Sequence, residues 1–401
     1  MQSSAPLIAS GNIQARDEEF SVDLQTIETE SAAAAHQIVT EYLLERCNVF
    51  KELSEIRRRV CASVTDLSFG LQDNVLMCGH PIQGWENPEG DEYWEKRRHT
   101  ADNPSPRTQQ IFFEMTKRIG AEMQGSTKAF TLQLPASTNP GILDMGSAPG
   151  GFLTAAMKAN PRSDVVALTL PPSSGGYEIL APEHLRLSVK LVDVTMMAAD
   201  LGVLDIPAEH PDALQFHPKQ LKDGQKFGLV ICGGSTVRNH KVATYRQGRE
   251  SCRLIMAQVV LGLERLVPGG TMILLLHKPE AWPTVKILYT FSKFASVKLF
   301  KPKSAHGARS SFYMVATNIQ IQQEGAMIAL AKWKKIWHEC TFGTEEQYRE
   351  AFREDQLDVH QVLAEFGPEL IRMSKRVWSI QKSNLSKAPF IRGTQGRQAL
   401  K

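Results

Sequence analysis

The sequence predicts an α/β fold in which an open, mostly parallel sheet carries helices on both faces. Between residues 141 and 317, short apolar runs typical of buried strands alternate with longer helical patterns, as in parallel sheets. A run of small residues, Gly146–Gly151, joins the first of these strands to a helix. The last two strand patterns are separated only by a loop, which predicts an antiparallel hairpin at one edge of the sheet.

The chain is predicted to divide into five parts. They are a disordered start (1–30), a helical N-terminal extension with a long loop (31–104), the α/β domain (105–320), a C-terminal helical extension (321–383) and a basic tail (384–401). The start is polar and lacks hydrophobic periodicity, and the tail has basic residues and no acidic ones after residue 381. A frayed, solvated tail and a tail that contacts RNA are both open interpretations.

Two helices and one loop are predicted before the α/β region. Apolar residues recur at three- and four-residue steps over residues 32–60 and again over 106–123, which predicts a helix in each range. Residues 79–108 are rich in Pro, Gly, Asn and charge, and they include Trp85 and Trp94. We expect them to form a long loop that acts as a lid or flap.

The remaining elements follow from the same patterns. Strands are predicted at 141–145, 164–170, 187–192, 227–232, 271–277, 295–300 and 311–317. Helices are predicted at 151–159, 242–266, 280–294, 326–337, 345–352 and 358–380. Irregular connections are predicted at 171–176 and 205–225, and a turn at 267–270.

Composition and charge indicate a globular protein that is not secreted. The 401 residues are 42% hydrophobic and 22% charged, and no apolar run is long enough to span a membrane. The N-terminus lacks the pattern of a secretory signal, so we expect an intracellular protein of the cytoplasm or nucleus. The net charge of +3 argues neither for nor against nucleic acid. The six cysteines form no C-x-x-C pair, so neither a zinc site nor a disulfide framework is indicated.

Residues 141–154 carry the most information about function. Apolar residues and Asp144 end a predicted strand, small residues form a turn, and Phe152 begins a helix. Such a turn lets the backbone approach a ligand at the carboxyl end of the sheet. A dinucleotide fingerprint is the rival interpretation, but the glycine spacing differs and Thr169 stands where an acid is needed. A structural turn without a ligand remains a second alternative.

The segment resembles the cofactor motif of S-adenosylmethionine-dependent methyltransferases, and its Pro-Gly-Gly ending resembles the FtsJ-like family, which methylates ribose 2′-hydroxyls of RNA. The resemblance covers about residues 105–318. It implies a Rossmann-like class I methyltransferase fold, S-adenosylmethionine as cofactor, and RNA methylation, including ribosomal RNA processing. RNA is therefore the expected partner, with no metal and no membrane.

The resemblance also implies a set of cofactor-binding residues. Those in and beside the turn are Asp144, Gly146, Ser147, Ala148, Pro149, Gly150, Gly151 and Phe152. Asp144 would hold the turn amides or meet the ammonium group of the cofactor, because a buried carboxylate needs a donor. Asp193 would accept a hydrogen bond from the adenine amino group, unless it is a helix cap. Thr169 replaces the usual ribose-binding acid, which implies a weaker contact there.

The catalytic Lys-Asp-Lys-Glu tetrad of the family is largely absent. Gly233 stands at the position of the aspartate, Leu275 at the second lysine and Ser311 at the glutamate. Lys117 is a match for the first lysine on the preceding helix.

At the end of the fifth predicted strand, Lys278 is a candidate catalytic or substrate-binding residue, and His277 is a candidate base for the hydroxyl. A surface lysine and a structural histidine are the alternatives.

A basic loop between the last two strands, with Lys301, Lys303 and Arg309, is expected to contact substrate phosphates or to keep an edge strand soluble. Three functions therefore follow from the sequence. The first is ribose methylation of RNA; the second is a non-catalytic module that binds RNA or a partner; the third is methylation of a small molecule or protein.

Overall fold

A seven-stranded sheet forms the centre of the protein, as seen in a computed structural model that describes residues 32–60, 88–132, 140–388 and 391. Its strands are β1 (Gly141–Met145), β2 (Val165–Thr169), β3 (Leu187–Leu191), β4 (Phe227–Cys232), β5 (Leu266–His277), β6 (Ser296–Phe300) and β7 (Ser311–Ile319). They lie in the order β3-β2-β1-β4-β5-β7-β6. Only β7 runs antiparallel to its neighbours, β5 and β6. The predicted parallel sheet with an antiparallel edge hairpin is confirmed.

Helices cover both faces of this sheet. They are α1 (32–46), α2 (Asn48–Val60), α3 (Pro88–Asp102), α4 (Pro106–Thr127), α5 (Gly151–Ala159), α6 (Thr244–Gln247), α7 (Glu250–Arg265), α8 (Trp282–Ser292), α9 (Glu324–Phe342), α10 (Glu345–Glu354) and α11 (Val359–Leu385). No helix in the described part of the chain has the length and apolar character needed to cross a membrane.

Burial explains why the central strands could be predicted from sequence. Nearly all of β1 and every residue of β2 and β4 are buried, because helices cover both faces of the sheet there. The sequences of these strands are therefore almost continuous apolar runs. By contrast, β3 lies at the edge of the sheet and all of its residues are exposed or half-buried.

Alternate residues of the strands enter two hydrophobic layers. One layer includes Ile231, Ile273 and Tyr313 together with residues of α4 and α5. The other includes Leu274 and residues from α7, α8 and the terminal helices. Both extensions therefore share a hydrophobic core with the sheet, on the face opposite α4 and α5.

The N- and C-terminal extensions meet above the end of β5. The rings of Phe50 and Trp378 lie 5.0 Å apart. The buried carboxylate of Glu280 accepts hydrogen bonds from Arg57 at 2.5 Å and from the Trp378 indole at 2.9 Å. Burial alone would raise the pKa of Glu280, but these partners outweigh it and hold that pKa below its ordinary value. The contact ties α2 and α11 to the turn that follows β5.

The expectation of a loop over residues 79–108 is wrong for α3, which is helical. The segment has few apolar residues, but it begins with Pro88, which is favourable in the first turn of a helix. Glu92 and Lys96 also form an ion pair at 2.6 Å with helical spacing. Trp94 packs against the core, whereas Trp85 lies outside the described residues.

Other boundaries differ from prediction where the chain bends. The helix predicted over 32–60 is interrupted at Cys47, and the one predicted over 242–266 is interrupted near Gly248 and Arg249. The predicted turn at 267–270 is part of β5, because a bulge beside Gly270 accommodates these residues in the strand. The predictions for 1–30 and for most of the tail lie outside the described residues.

The contact between α4 and α5 gives a test of the packing. A Cβ added to Gly151 would lie 2.1 Å from Thr116 Oγ1 and 2.4 Å from the backbone nitrogen of Lys117. We therefore expect Gly151→Ala to lower the free energy of unfolding by about 1–3 kcal/mol, because the helices must separate. Denaturant unfolding measures the change.

The matched control is Gly125→Ala in α4, where a new Cβ meets no atom within 4 Å. This variant should gain about 0.5–1 kcal/mol from helix propensity. Equal stability of the two variants would contradict the packing described here.

Candidate active site at the carboxyl end of the sheet

The turn between β1 and α5 is narrow because it is built from backbone. Gly146 and Gly150 have positive φ values of 75° and 104°, which other residues rarely adopt. A Cβ on Gly146 would lie 2.4 Å from the backbone nitrogen of Gly234, which follows β4. Gln258 holds Gly234 by accepting from its N–H at 2.8 Å and donating to its carbonyl at 3.1 Å. Backbone therefore faces backbone across the opening between β1 and β4.

Asp144 lies directly beneath this turn with an unsatisfied oxygen. The residue is 1% exposed, and its Oδ2 atom has no hydrogen-bond partner. Burial raises the pKa of Asp144 to about 7, against the effect of a hydrogen bond from Ser147. A buried carboxylate without a donor is costly, so this atom is suited to a cationic ligand group. The ammonium group of S-adenosylmethionine fits that requirement.

The ends of β2 and β3 bring Thr169 and Asp193 to the same edge of the sheet as this turn. Thr169 is buried, and its hydroxyl accepts from the backbone N–H of Ala148 at 3.4 Å. Asp193 follows β3, and its Oδ1 accepts from the backbone N–H and the hydroxyl of Thr195, at 2.9 and 2.8 Å. Asp193 is thus a cap of the short 3-10 turn Val194–Met196, one of the two roles considered from sequence. Its Oδ2 makes no such bond within the described part of the chain and stays available to a ligand.

The positions of the missing tetrad lie on one face of the sheet. Leu275 and Tyr313 face each other in the β5–β7 register and belong to the layer that contains α4 and α5. Gly233 continues β4 two residues after Ile231, a member of the same layer. Added at Gly233, a Cβ would meet its nearest atoms only at 3.6–3.9 Å. The backbone thus has room for a Cβ at the position of the missing aspartate.

His277 lies on this face and Lys278 lies in the turn that follows. His277 is exposed, pairs with Ser311 in the register, and is two residues after Leu275 in β5. Strand alternation therefore puts His277 on the face of the missing lysine, one step closer to solvent. Lys278 is half-buried and has a positive φ of 45°. The pKa of His36 is lowered mainly by burial and is raised by Glu280, and the charge of Lys278 lowers it as well. Lys278 thus faces the N-terminal extension.

Lys117 lies on α4 beside the turn, since a Cβ added to Gly151 would lie only 2.4 Å from the backbone nitrogen of Lys117. Its ammonium group is paired with Glu114 at 3.1 Å and lies 5.3 Å from the centre of the Phe113 ring. The structure brings the residue near the cofactor turn while its charge is engaged on its own helix.

The expectation that Lys301 contacts substrate phosphate is wrong. Lys301 is 2% exposed, and its ammonium group donates to the carbonyls of His306, Arg309 and Ser311. Burial lowers the pKa of Lys301 to about 7, with smaller contributions from Arg57 and Arg309. The lysine holds the β6–β7 loop in shape from within. Sequence could not reveal this, because the three carbonyls converge only in the folded loop.

Lys303 and Arg309 remain candidates for substrate contact. Lys303 is exposed, and its backbone N–H donates to Glu122 of α4, at 2.9 Å. Arg309 is half-buried at the end of the loop, close enough to lower the pKa of His306, an effect that follows burial in size. Both lie on the loop at the edge of the tetrad face.

Two further features of the site are not predicted by the sequence analysis. The carboxyl end of α3 is fixed over the site, because Asp102 pairs with Arg238 at 2.8 Å and Tyr177 donates to the carbonyl of Ala101 at 2.7 Å. Buried charges also surround Asp193, led by Arg246 and Glu250. The four-residue spacing of this last pair is the one signal that could have indicated it.

Comparison with known proteins decides the family. The sequence model of FtsJ-like methyltransferases matches residues 117–319, half of the chain. The chain belongs to the FtsJ-like methyltransferase family. The matched region of this FtsJ-like protein extends from Lys117 through β7 and contains every strand of the sheet. S-adenosylmethionine is the cofactor that fits both the family and the site.

Solved structures of methyltransferases are similar to this chain at low identity, and no curated protein sequence matches the chain. An O-methyltransferase family protein from Burkholderia thailandensis is 10% identical, with a TM-score of 0.29, over 70% of this chain and 71% of that one. NodS, an N-methyltransferase from Bradyrhizobium japonicum, is 12% identical with a TM-score of 0.31, over 52% and 98%. Human methyltransferase-like protein 13, solved with SAH, has the same identity and TM-score, over 63% and 98%.

If the Asp144 carboxylate binds the ammonium group of the cofactor, cofactor binding will depend on pH. In the free protein the pKa of Asp144 is about 7, so its carboxyl group is mostly protonated below about pH 7. An ammonium group of a ligand would favour the ionised form. Affinity for S-adenosylhomocysteine should therefore rise by up to about tenfold per pH unit from about pH 5.5 and level off above about pH 7. Calorimetry across this range measures it.

Asp144→Asn should flatten this profile, whereas Asp164→Asn, at an exposed side chain before β2, should leave it unchanged. An unaltered profile in Asp144→Asn would contradict the assignment of Oδ2 to the ammonium group.

Proposed function

We propose that the protein uses S-adenosylmethionine to methylate ribose 2′-hydroxyl groups of RNA. The observation that carries the cofactor is the unpaired, buried carboxylate of Asp144 beneath a turn lined by backbone. The family supports RNA as the acceptor, as does the exposed position of Lys303 on the loop beside the site. An RNA substrate further implies an intracellular location, in the cytoplasm or nucleus.

The chemistry requires alignment of two substrates and removal of one proton. Bound S-adenosylmethionine would supply a methyl group attached to a sulfonium sulfur. Transfer of this methyl group leaves the cofactor as a neutral thioether. The protein must therefore hold the acceptor oxygen in line and take up the hydroxyl proton. His277 is suited to receive that proton, because it lies on the face of the missing lysine and imidazole is the side chain most often used as a general base.

Asp144 and the β1–α5 turn would orient the methionine end of the cofactor, and Asp193 the adenine end. Lys303 and Arg309 would bind the phosphates that flank the acceptor ribose. Lys278 would take part only through the turn that it shares with His277.

A second candidate is favoured by the changed tetrad. With Gly233, Leu275 and Ser311 in place, a lysine base would have neither its position nor its carboxylate partners. The protein would then bind RNA or a partner without methylating it, or it would methylate a small molecule or protein whose acceptor needs no lysine base.

Transfer of tritium-labelled methyl groups to RNA tests the proposal. Ribose methylation blocks alkaline cleavage of the adjacent phosphodiester, so the label should appear in alkali-resistant dinucleotides. We expect His277→Gln to reduce this incorporation by about 100-fold, the usual contribution of a general base, while binding of S-adenosylhomocysteine is retained.

The matched control is His360→Gln, at an exposed position of α11. It should match the wild type. Label in mononucleotides would indicate base methylation. Absence of label from a wild-type protein that binds the cofactor would favour the non-catalytic candidate.

Restoring the tetrad tests whether the changed residues limit the chemistry. Gly233 has space for a side chain, so a variant with Gly233→Asp, Leu275→Lys and Ser311→Glu should fold. We expect it to accelerate ribose methylation by about 100-fold over the wild type, because a tuned lysine base is regained. Single-turnover rates measure the gain.

The control carries Leu275→Met in place of Leu275→Lys and so keeps the two acids without the base. Equal rates in the two triple variants would show that the face of the missing lysine is not where the proton is removed.

A further inference from the structure

The two oxygens of the Asp193 carboxylate have different surroundings. Oδ1 is held by both donors of Thr195. Two basic side chains approach Oδ2, with Arg246 Nη1 at 3.6 Å and His240 Nε2 at 3.8 Å, and both distances exceed that of a hydrogen bond. Oδ2 is therefore oriented by charge and still has capacity to accept a hydrogen bond from a ligand.

Arg246 is fixed by two other carboxylates. Its side chain is 5% exposed, its Nε lies 2.8 Å from Asp212 Oδ2, and its Nη1 donates to Glu250 Oε1 at 3.1 Å. Although burial opposes the charge, these acids together with Asp193 raise the pKa of Arg246 above its ordinary value. The guanidinium group thus has one orientation, and its contact with Asp193 is set by the other two pairs.

Arg253 supports this arrangement from behind. It is fully buried and donates to Glu250 Oε2 at 2.7 Å and to the backbone carbonyl of Thr195 at 3.3 Å. Its Nε donates to the hydroxyl of Thr341 in α9, at 3.1 Å. One side chain therefore connects the turn that Asp193 caps to the C-terminal extension, which lies outside the family match.

The cation in this cluster is a guanidinium group. Atoms of Asp193, His240 and Glu250 lie within 4.8 Å of one another and could in principle ligate a metal ion. Arg246 already contacts two of the three, which supplies the positive charge that such ligands require. Buried ion clusters of this kind fix geometry more than they add stability.

We propose that Arg246 and Arg253 are positioning residues that hold Asp193 Oδ2 for an exocyclic amino group of the bound nucleoside. Through Thr341 they make that hold depend on the C-terminal extension. The inference rests on the proposed use of S-adenosylmethionine, but not on the identity of the methyl acceptor. The C-terminal extension then contributes to cofactor binding through the contact between Thr341 and Arg253.

The test is the ratio of two dissociation constants, for S-inosylhomocysteine and S-adenosylhomocysteine, measured by calorimetry on the full chain. The compounds differ at the purine, where an oxo group replaces the amino group. The wild type should bind the adenosyl compound at least about tenfold more tightly, the effect of one hydrogen bond to a charged acceptor. Asp193→Asn should reduce the ratio to about twofold or less, because the carboxylate charge is gone.

Arg246→Met should reduce the ratio to about threefold, and Arg246→Lys should restore part of it. Thr341→Val, a change of similar volume that leaves Arg246 and Arg253 in place, should lower the ratio to an intermediate value and covers the case in which Arg246→Met does not fold. Arg249→Met is the matched control, because Arg249 binds the extension at Glu345 and the Gly343 carbonyl. It should leave the ratio unchanged.

A purely structural role would weaken both compounds equally and leave the ratio constant. A constant ratio in Arg246→Met, or in Thr341→Val if the first does not fold, overturns the inference. Failure of the wild type to bind either compound overturns the cofactor assignment and this inference with it. Discrimination without methyl transfer to RNA would refute the proposed function and leave the inference supported.

Discussion

Two backbone segments, around Gly146 and Gly234, approach each other closely and set the shape of the carboxyl edge of this sheet. Gly146 and Gly234 leave no room for a side chain between them, and Gln258 keeps Gly234 in place from α7. Beneath them, Asp144 has one carboxylate oxygen without a donor. A site of this kind provides amide groups, a helix terminus and one negative charge, and it excludes other side chains of the protein.

The sheet could be predicted from sequence because its central strands are buried on both faces and therefore form short apolar runs. β4 begins and ends where it was predicted, and β2 differs by one residue at each end. The cofactor turn could also be predicted, since glycine at positive φ leaves a direct mark on the sequence. α3 could not, because its helical form depends on local ion pairs and on contacts made by its carboxyl end.

The functional side chains were harder to predict than the backbone. Lys301 resembles a phosphate ligand in sequence, yet its environment consists of three carbonyls that only folding brings together. The ion cluster around Asp193 combines residues that are far apart in the chain, so the four-residue spacing of Arg246 and Glu250 is the one local pattern that indicates it. The register that puts His277 opposite Ser311 likewise depends on the hairpin pairing. Side-chain function at this site is set by long-range contacts, which a single sequence does not display.

The anchoring of Lys301 has a consequence for how a large acceptor could reach the cofactor. The side-chain nitrogen of Lys301 donates to three carbonyls of the β6–β7 loop and thereby restricts the loop to one conformation. This side of the site is therefore rigid. α3 lies near this loop, because the charge of Arg97 contributes to lowering the pKa of His306, and its carboxyl end is held through Asp102 and Ala101. Breaking those polar contacts uncovers only side chains that are already partly exposed, whereas deforming the loop would leave the buried Lys301 nitrogen without its acceptors. Of these two neighbouring elements, α3 is therefore the one that can move at the lower energetic cost.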